Sequence, residues 1–390
     1  MIMLRLRPYL QARSIMKEIK YYIGLMSGTS MDGIDAVIAK MAGTTFMEIC
    51  GHAFVPYSTV LKQHLLALQT PATDELHRSA LLAQQLAHLN AQAVTTVLQQ
   101  TNLTANEITA IGCHGQTIRH VPENHYSIQL MNWALLAELC NITTVGDFRN
   151  QDLSAGGQGA PLVPAFHQAV FADQQQCRVV LNLGGIANIS ILQPLRAPFG
   201  FDTGPANMLM DAWVQLNWQQ DYDKDGQLAR NGKVLPSLLE SMLQHAYFSQ
   251  PYPKSTGRDL FNLQWLNNYL SGKENPADIL RTLLQLTAST AVNAIVSSAP
   301  KVDSVFVCGG GVQNILLKQT IAELLKQHQI SLYTTDELNL PAQLVEAAAF
   351  AWLAACWYQR TPVTVHHATG ASGARILGCG YWSVSSAKNC

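Results

Sequence analysis

Short apolar runs closed by glycine or a polar turn alternate along the chain with longer stretches in which Leu, Val and Ala recur every three or four residues. The runs predict buried strands and the stretches predict amphipathic helices. Tyr21–Met26 reads as the first strand, Ser27-Gly28-Thr29-Ser30 turns the chain, and Ile34–Ala39 reads as the second strand. Residues 59–100 are helical by spacing, with Leu65, Leu66 and Leu68, then Leu81, Leu82, Leu86, Leu89 and Val94. Two short strands are expected next. Ala110–Cys113 leads into the polar turn His114-Gly115-Gln116-Thr117, and Ile142–Val145 leads into Gly146-Asp147. The opening pattern then returns, with Arg178–Leu183 as a strand, Gly184-Gly185 as a turn and Ile189–Leu192 as a second strand. Helices are expected around 207–217, 234–247, 260–271 and 277–298. A strand at Val305–Cys308 runs into Gly309-Gly310-Gly311, and a closing helix runs from Leu344 to Trp357.

Strands interleaved with helices specify an α/β protein whose mixed sheets are covered by helices. The two strand–glycine–strand units share little sequence, so they are a structural echo, and two similar halves suggest two domains facing a cleft. The boundary is expected in 146–165, which is rich in Gly, Pro and polar residues.

Composition narrows the function classes. Of 390 residues, 48% are hydrophobic and 13% charged, which requires a large buried core and excludes a disordered chain. Lys and Arg total 25 against 26 Asp and Glu, so a nucleic-acid binder working through a broadly basic face is not expected. The eight cysteines contain no C-x-x-C pair and fit neither a zinc site nor a disulfide scaffold; they read as small buried hydrophobes of a reducing, cytoplasmic compartment. The most apolar stretch, Ala347–Tyr358, is too short to cross a bilayer, so no membrane partner is expected. Residues 1–20 are basic without the apolar core of a secretory signal, and are expected to be an extension outside the folded core, with Met16 as an alternative start.

No G-x-x-x-x-G-K-[ST] and no strand-following G-x-G-x-x-G occurs, so a nucleotide must be held by another scheme. A glycine hairpin between buried strands supplies one, because backbone N–H groups reach an anion with no Cβ in the way. Ser27, Thr29 and Ser30 add hydroxyls there, and Asp32 and Asp35 add carboxylates able to hold Mg2+ or its waters. Leu183-Gly184-Gly185 can grip the same polyphosphate from the other side, and Cys308–Asn314, a strand end entering a helix, suits the α-phosphate and adenosine. Each alone reads equally as an ordinary turn; three at matching strand ends point to a site.

Six blocks carry a resemblance: GLMSGTSMDGID at 24–35, CHGQTIRH at 113–120, GDFRNQDLSAGGQGAPLVPAFH at 146–167, LNLGGIANIS at 181–190, GFDTGPANMLMDAW at 200–213 and CGGGVQN at 308–314. In that order they resemble the blocks of the anhydro-N-acetylmuramic acid kinases, over Tyr21 to about residue 380. The resemblance implies two actin/hexokinase-like ATPase domains around a central cleft. Residues 21–150, completed by about 358–390, would form the first domain and 151–357 the second. It implies ATP as co-substrate with Mg2+, an amino-sugar substrate and a homodimer. The ATP site it implies comprises Gly28, Thr29, Ser30, Met31, Asp32, Gly33, Ile34 and Asp35, then Asn182, Gly184 and Gly185, then Gly309, Gly310, Gly311 and Asn314. Asp32 would serve Mg2+ directly or through water.

The family's reaction joins 1,6-anhydro-N-acetylmuramic acid, ATP and water to give N-acetylmuramic acid 6-phosphate and ADP. O6 is tied to the anomeric carbon, so water must attack C1 while the freed O6 attacks the γ-phosphorus, and one base takes the water's proton. A carboxylate suits this base, since the anomeric centre becomes cation-like. Asp202, between Gly200 and Gly204, occupies the position the family uses for it; read alone, it is equally a turn or helix-capping Asp. His114, Gln116 and Thr117 with Asp147 and Arg149 suit sugar hydrogen bonds and the lactyl carboxylate, although Arg149 equally suits an ion pair between domains. Glu346 is a first-turn helix acid or a cleft group, and the resemblance favours the cleft. His366 and His367 are expected to point apart along a strand.

Overall fold

The structure is a computed structural model and describes residues 18–258, 260–299 and 301–383. Of the expected extension over residues 1–20, residues 1–17 lie outside the described residues, and its end is corrected, because Ile19 and Lys20 already belong to the first strand. The first lobe contains β1 (Ile19–Met26), β2 (Gly33–Ala42), β3 (Thr45–Pro56), β4 (Ile108–Cys113), the β5 (Gln116–Val121) and β6 (Tyr126–Leu130) hairpin, and β7 (Thr144–Gly146). The second contains β8 (Arg178–Leu183), β9 (Ile186–Leu192), β10 (Phe199–Pro205), β11 (Ser304–Cys308) and β12 (Ser331–Thr334), and β13 (Cys379–Tyr381) returns to the first sheet.

Both sheets repeat one topology. In each, three antiparallel strands are joined in series and the first also pairs in parallel with a fourth, which pairs in parallel with a fifth. The orders are β3-β2-β1-β4-β7, extended by β13, and β10-β9-β8-β11-β12. This is the duplicated actin/hexokinase-like arrangement that the resemblance implies.

Strand alternation sorts the apolar side chains into three cores. Ile23 and Leu25 of β1 face an outer core with the Glu75–Thr101 helix, while Tyr22 faces a central core. On β8, Val179, Leu181 and Leu183 face the outer core of the second lobe and Val180 faces the centre. The central layer is filled by the Val163–Phe171 and Val345–Tyr358 helices. Sheets cover it from both sides, so the Val345–Tyr358 helix is apolar nearly all round and not amphipathic.

That helix corrects the division at residue 357. It packs on β1, β2 and β4 of the first sheet, while the Val163–Phe171 helix packs on β9 of the second, so each lobe lends a helix across the boundary. Two strand glycines make the first contact possible. A Cβ on Gly24 would lie 1.8 Å from the Ala347 carbonyl oxygen, and one on Gly112 would lie 2.0 Å from that of Phe350.

Six strands were not expected from the sequence: β3, β5, β6, β10, β12 and β13. The anticipated turn at 114–117 is shorter, because Gln116 and Thr117 already open β5. The 59–100 helix is two, Thr59–Ala67 and Glu75–Thr101. The Pro276–Ser298 helix is long and apolar enough to cross a membrane, yet 12 of its residues are buried, mostly in the second lobe's core. His366 and His367 open a short helix rather than lying on a strand, and their rings sit 4.1 Å apart.

Candidate active site

Three glycine turns meet where the lobes touch. In the first, between β1 and β2, the Met31 N–H donates to the Gly28 carbonyl at 3.2 Å, and Met31, buried, takes a left-handed φ of 53°. The β4–β5 turn supports it from below: Ser27 Oγ donates to Gly115 O at 3.1 Å, Gln116 Nε2 donates to Gly28 O at 3.1 Å, and the His114 N–H donates to Leu25 O. Ser30 Oγ donates to Asp32 Oδ1 at 2.8 Å, and Asp35 Oδ1 meets His52 Nε2 at 2.9 Å.

In the second turn the carbonyls of Gly184 and Gly185 accept the N–H groups of Ala206, Asn207 and Met208, tying the turn to the Asn207–Trp218 helix. A Cβ on Gly185 would lie 2.3 Å from Thr29 Oγ1, so the two hairpins meet tip to tip across the lobes. In the third turn Gly309 has φ 84°, and its Cβ would lie 2.3 Å from Asn182 Oδ1; a Cβ on Gly311 would lie 2.7 Å from that of Leu183. Gly310 has open space on its side-chain face. Asn314 Oδ1 caps the Ile315–Lys326 helix by accepting from the Leu317 N–H at 3.0 Å. The junction is therefore lined by backbone, as an anion cradle requires.

Charged groups converge beside it. Asp202, on β10 at a bulge opposite Asn188, is 8% exposed, and its Oδ2 accepts from the Thr256 N–H at 3.0 Å. Burial pushes its pKa up to about 7, against the lowering pull of the Thr256 N–H and the Arg149 and Lys254 charges. Arg149 donates through Nη1 to Gly159 O at 2.7 Å and turns its other nitrogens to His114 Nε2. Burial and that guanidinium push His114 down to about 3, so the imidazole is neutral. Glu346 sits near Arg149, with its carboxylate bonded to the Asn182 side chain; burial, together with Asp35 and Asp32, raises its pKa.

A model of the family described as "Anhydro-N-acetylmuramic acid kinase" matches residues 20–383. A protein of that name from Neisseria gonorrhoeae (strain NCCP11945) is 57% identical over 368 residues, 94% of this chain and 98% of that protein. The chain belongs to the anhydro-N-acetylmuramic acid kinase family. The relative from Nitrosomonas europaea is 47% identical over 93% of this chain and 99% of its own length. Among solved structures, a ROK family glucokinase from Streptomyces griseus in complex with glucose and AMPPNP is similar at a TM-score of 0.39 and 14% identity, over 85% of this chain and 97% of that one.

The residues expected to serve this family's chemistry fall into two groups. Thr29, Asp32, Asn182, Gly185, Gly309, Gly311, Asp202, Arg149 and Glu346 gather around the junction. His114 and Gln116 are buried beneath the first turn, the former against Arg149 and the latter against Gly28, so their hydrogen bonds shape the cradle. Thr117 Oγ1 accepts from Gln129 within the β5–β6 hairpin, and Asp147 Oδ1 accepts from Asn150 at 2.6 Å.

Several site groups were not expected from the sequence. The 253–258 stretch brings Lys254, Thr256 and Arg258 to the junction, where Arg258 Nη2 donates to Thr29 O at 2.8 Å across the lobes. Asp152, fully buried, accepts from the Gly159 N–H and Thr369 Oγ1 and so holds the peptide that Arg149 grips. Asp211 of the Asn207–Trp218 helix is pushed up to about 7 by burial, between Lys62 and Arg258 and near Asp32. The signal available was a polar, basic run, PKSTGR, between apolar helices. Among the described residues, Gln116 Oε1, Thr256 Oγ1 and Arg258 Nε are buried without a partner, which is costly unless a ligand supplies one.

Among the described residues no three His, Cys, Asp or Glu side chains come close enough to hold a metal alone. The donor set still fits Mg2+, which keeps its waters and needs one or two carboxylates beside phosphate oxygens. Asp32 is exposed, and its carboxylate and that of Asp35 both act on Glu346, whose pKa is raised chiefly by burial and further by these two negative charges.

Proposed function

We propose that the protein opens the 1,6-anhydro ring of 1,6-anhydro-N-acetylmuramic acid with water and phosphorylates O6 from ATP, giving N-acetylmuramic acid 6-phosphate and ADP in peptidoglycan-sugar recycling. Family membership supports the substrates. The observation that carries the mechanism is a buried carboxyl, Asp202, held by a backbone N–H beside Arg149 at the junction where three glycine turns meet.

The triphosphate lies between the turns at 27–32, 184–185 and 309–311, whose N–H groups and the Thr29 and Ser30 hydroxyls face it. Asp32, directly or through water, would hold Mg2+, which would supply charge neutralisation to the phosphates. Asp202 takes the proton of a water that attacks C1, the C1–O6 bond breaks, and O6 attacks the γ-phosphorus as ADP leaves. Ionised Asp202 also stabilises the cation-like anomeric carbon. Arg149 faces the sugar's lactyl carboxylate, and Glu346 lies on the sugar side of the cleft. The sugar roles of His114, Gln116, Thr117 and Asp147 are limited to groups their internal bonds leave over, such as Gln116 Oε1.

A cytoplasmic homodimer completes the proposal. The free state of the seven described cysteines supports the compartment, and the family resemblance supports the dimer. The test of the chemistry is mass spectrometry of product formed in 18O water. One label on the C1 hydroxyl and none in the phosphate is expected; label in the phosphate, or ADP without a phosphorylated sugar, would overturn the proposal.

A further inference from the structure

We infer that Lys254 is a positioning residue for Asp202: it pins the loop that aims the carboxylate and keeps a positive charge behind it. The inference rests on Asp202 being the base. The loop and the neighbouring Tyr247 bracket Asp202 with three hydrogen bonds. The Thr256 N–H donates to Oδ2 at 3.0 Å, the Asp202 N–H donates to Lys254 O at 3.3 Å, and Tyr247 Oη donates to Asp202 O at 2.7 Å. Lys254 closes this bracket. Its side chain turns inward, the residue is 8% exposed, and Nζ donates to Tyr247 O at 3.0 Å and Phe248 O at 3.3 Å. The ammonium also lies 4.7 Å from the Tyr247 ring centroid and 5.5 Å from that of Phe201, the neighbour of Asp202.

A buried ammonium is expensive when its partners are carbonyls and ring faces. Neutral side chains can cap two carbonyls at lower cost, so a bridging role alone does not require lysine. Among the described residues no carboxylate lies in ion-pair contact with it, and Asp202 is the carboxylate whose charge acts on it. The charged and titratable groups that act on Asp202 are Arg149, Lys254 and Tyr247, and the last is held neutral by burial. Arg149 acts on Asp202 from its seat on Gly159 and His114, and Lys254 is the second cation, carried by the loop that also holds the carboxylate.

The test is the pH dependence of kcat/KM for Lys254→Gln and Lys254→Arg. Gln offers two N–H donors to the same two carbonyls without charge, and Arg keeps both donors and charge. In Lys254→Gln the acid limb should move up by about 1 pH unit. Turnover at pH 7 should then fall about five-fold and recover at pH 9, with the KM for ATP unchanged; Lys254→Arg should keep the wild-type limb. An unmoved limb in Lys254→Gln, or a loss equal at every pH, overturns the inference. If Lys254→Gln does not fold, Lys254→Arg decides: a retained limb supports it and a displaced one overturns it. Asp202→Asn separates the two claims. Retained turnover there removes the base itself, whereas lost turnover with an unmoved Lys254→Gln limb overturns only the role of Lys254.

Discussion

A carboxyl group that works as a base near neutrality needs enough burial to become basic and enough positive charge to stay ionisable. Asp202 meets both conditions, buried on β10 with the Thr256 N–H, Arg149 and Lys254 pulling the other way. The account therefore predicts an acid limb near pH 7 in kcat/KM, measured with buffers that span pH 5.5–9. The same burial has a stability cost. The folded-state pKa lies near 7 against 3.8 unfolded, so the stability of the protonated form is fully present below 3.8 and is lost as pH rises through 7. Asp202→Asn should accordingly melt higher than the wild type at pH 8, by up to about 4 kcal/mol of unfolding free energy, and the gain should vanish near pH 4. Asp202 was legible in the sequence through its glycine-flanked block, while Lys254, Thr256 and Arg258 were not, because a loop has no periodicity to reveal which of its side chains turn inward.

At the level of elements, the strand–glycine–strand units were readable because continuous apolar runs end in glycine. β3, with mixed polar and apolar residues, and β10, interrupted by Gly200 and Gly204, defeat both alternation and run length. The Val345–Tyr358 helix was visible as a helix, but its lobe was not, since uniform hydrophobicity carries no facing information. Its seat on the first sheet depends on bare backbone at Gly24 and Gly112. Gly112→Ala should cost at least about 3 kcal/mol by overpacking, read as a lowered urea midpoint. The same substitution at Gly310, which faces open space, should leave the midpoint within about 0.5 kcal/mol.

For the whole molecule, the duplicated topology and the exchanged helices make one central layer serve both lobes, and the glycine turns close over its edge. Arg258 is a direct polar link between the lobes outside that layer, from the 253–258 loop to the Thr29 carbonyl. Arg258→Ala should weaken closure by about 1 kcal/mol, raising the KM for ATP several-fold and enlarging the ATP-bound radius of gyration in solution scattering. Closure matters because an open cleft would let bulk water consume the γ-phosphate. In the proposed mechanism the two lobes bind and one carboxyl activates, and Asp202→Asn separates those tasks. Single-turnover assays with ATP and the anhydro-sugar should show ATP affinity within about two-fold of the wild type and product formation lowered by at least about 100-fold. Product formation at close to the wild-type rate would contradict the account.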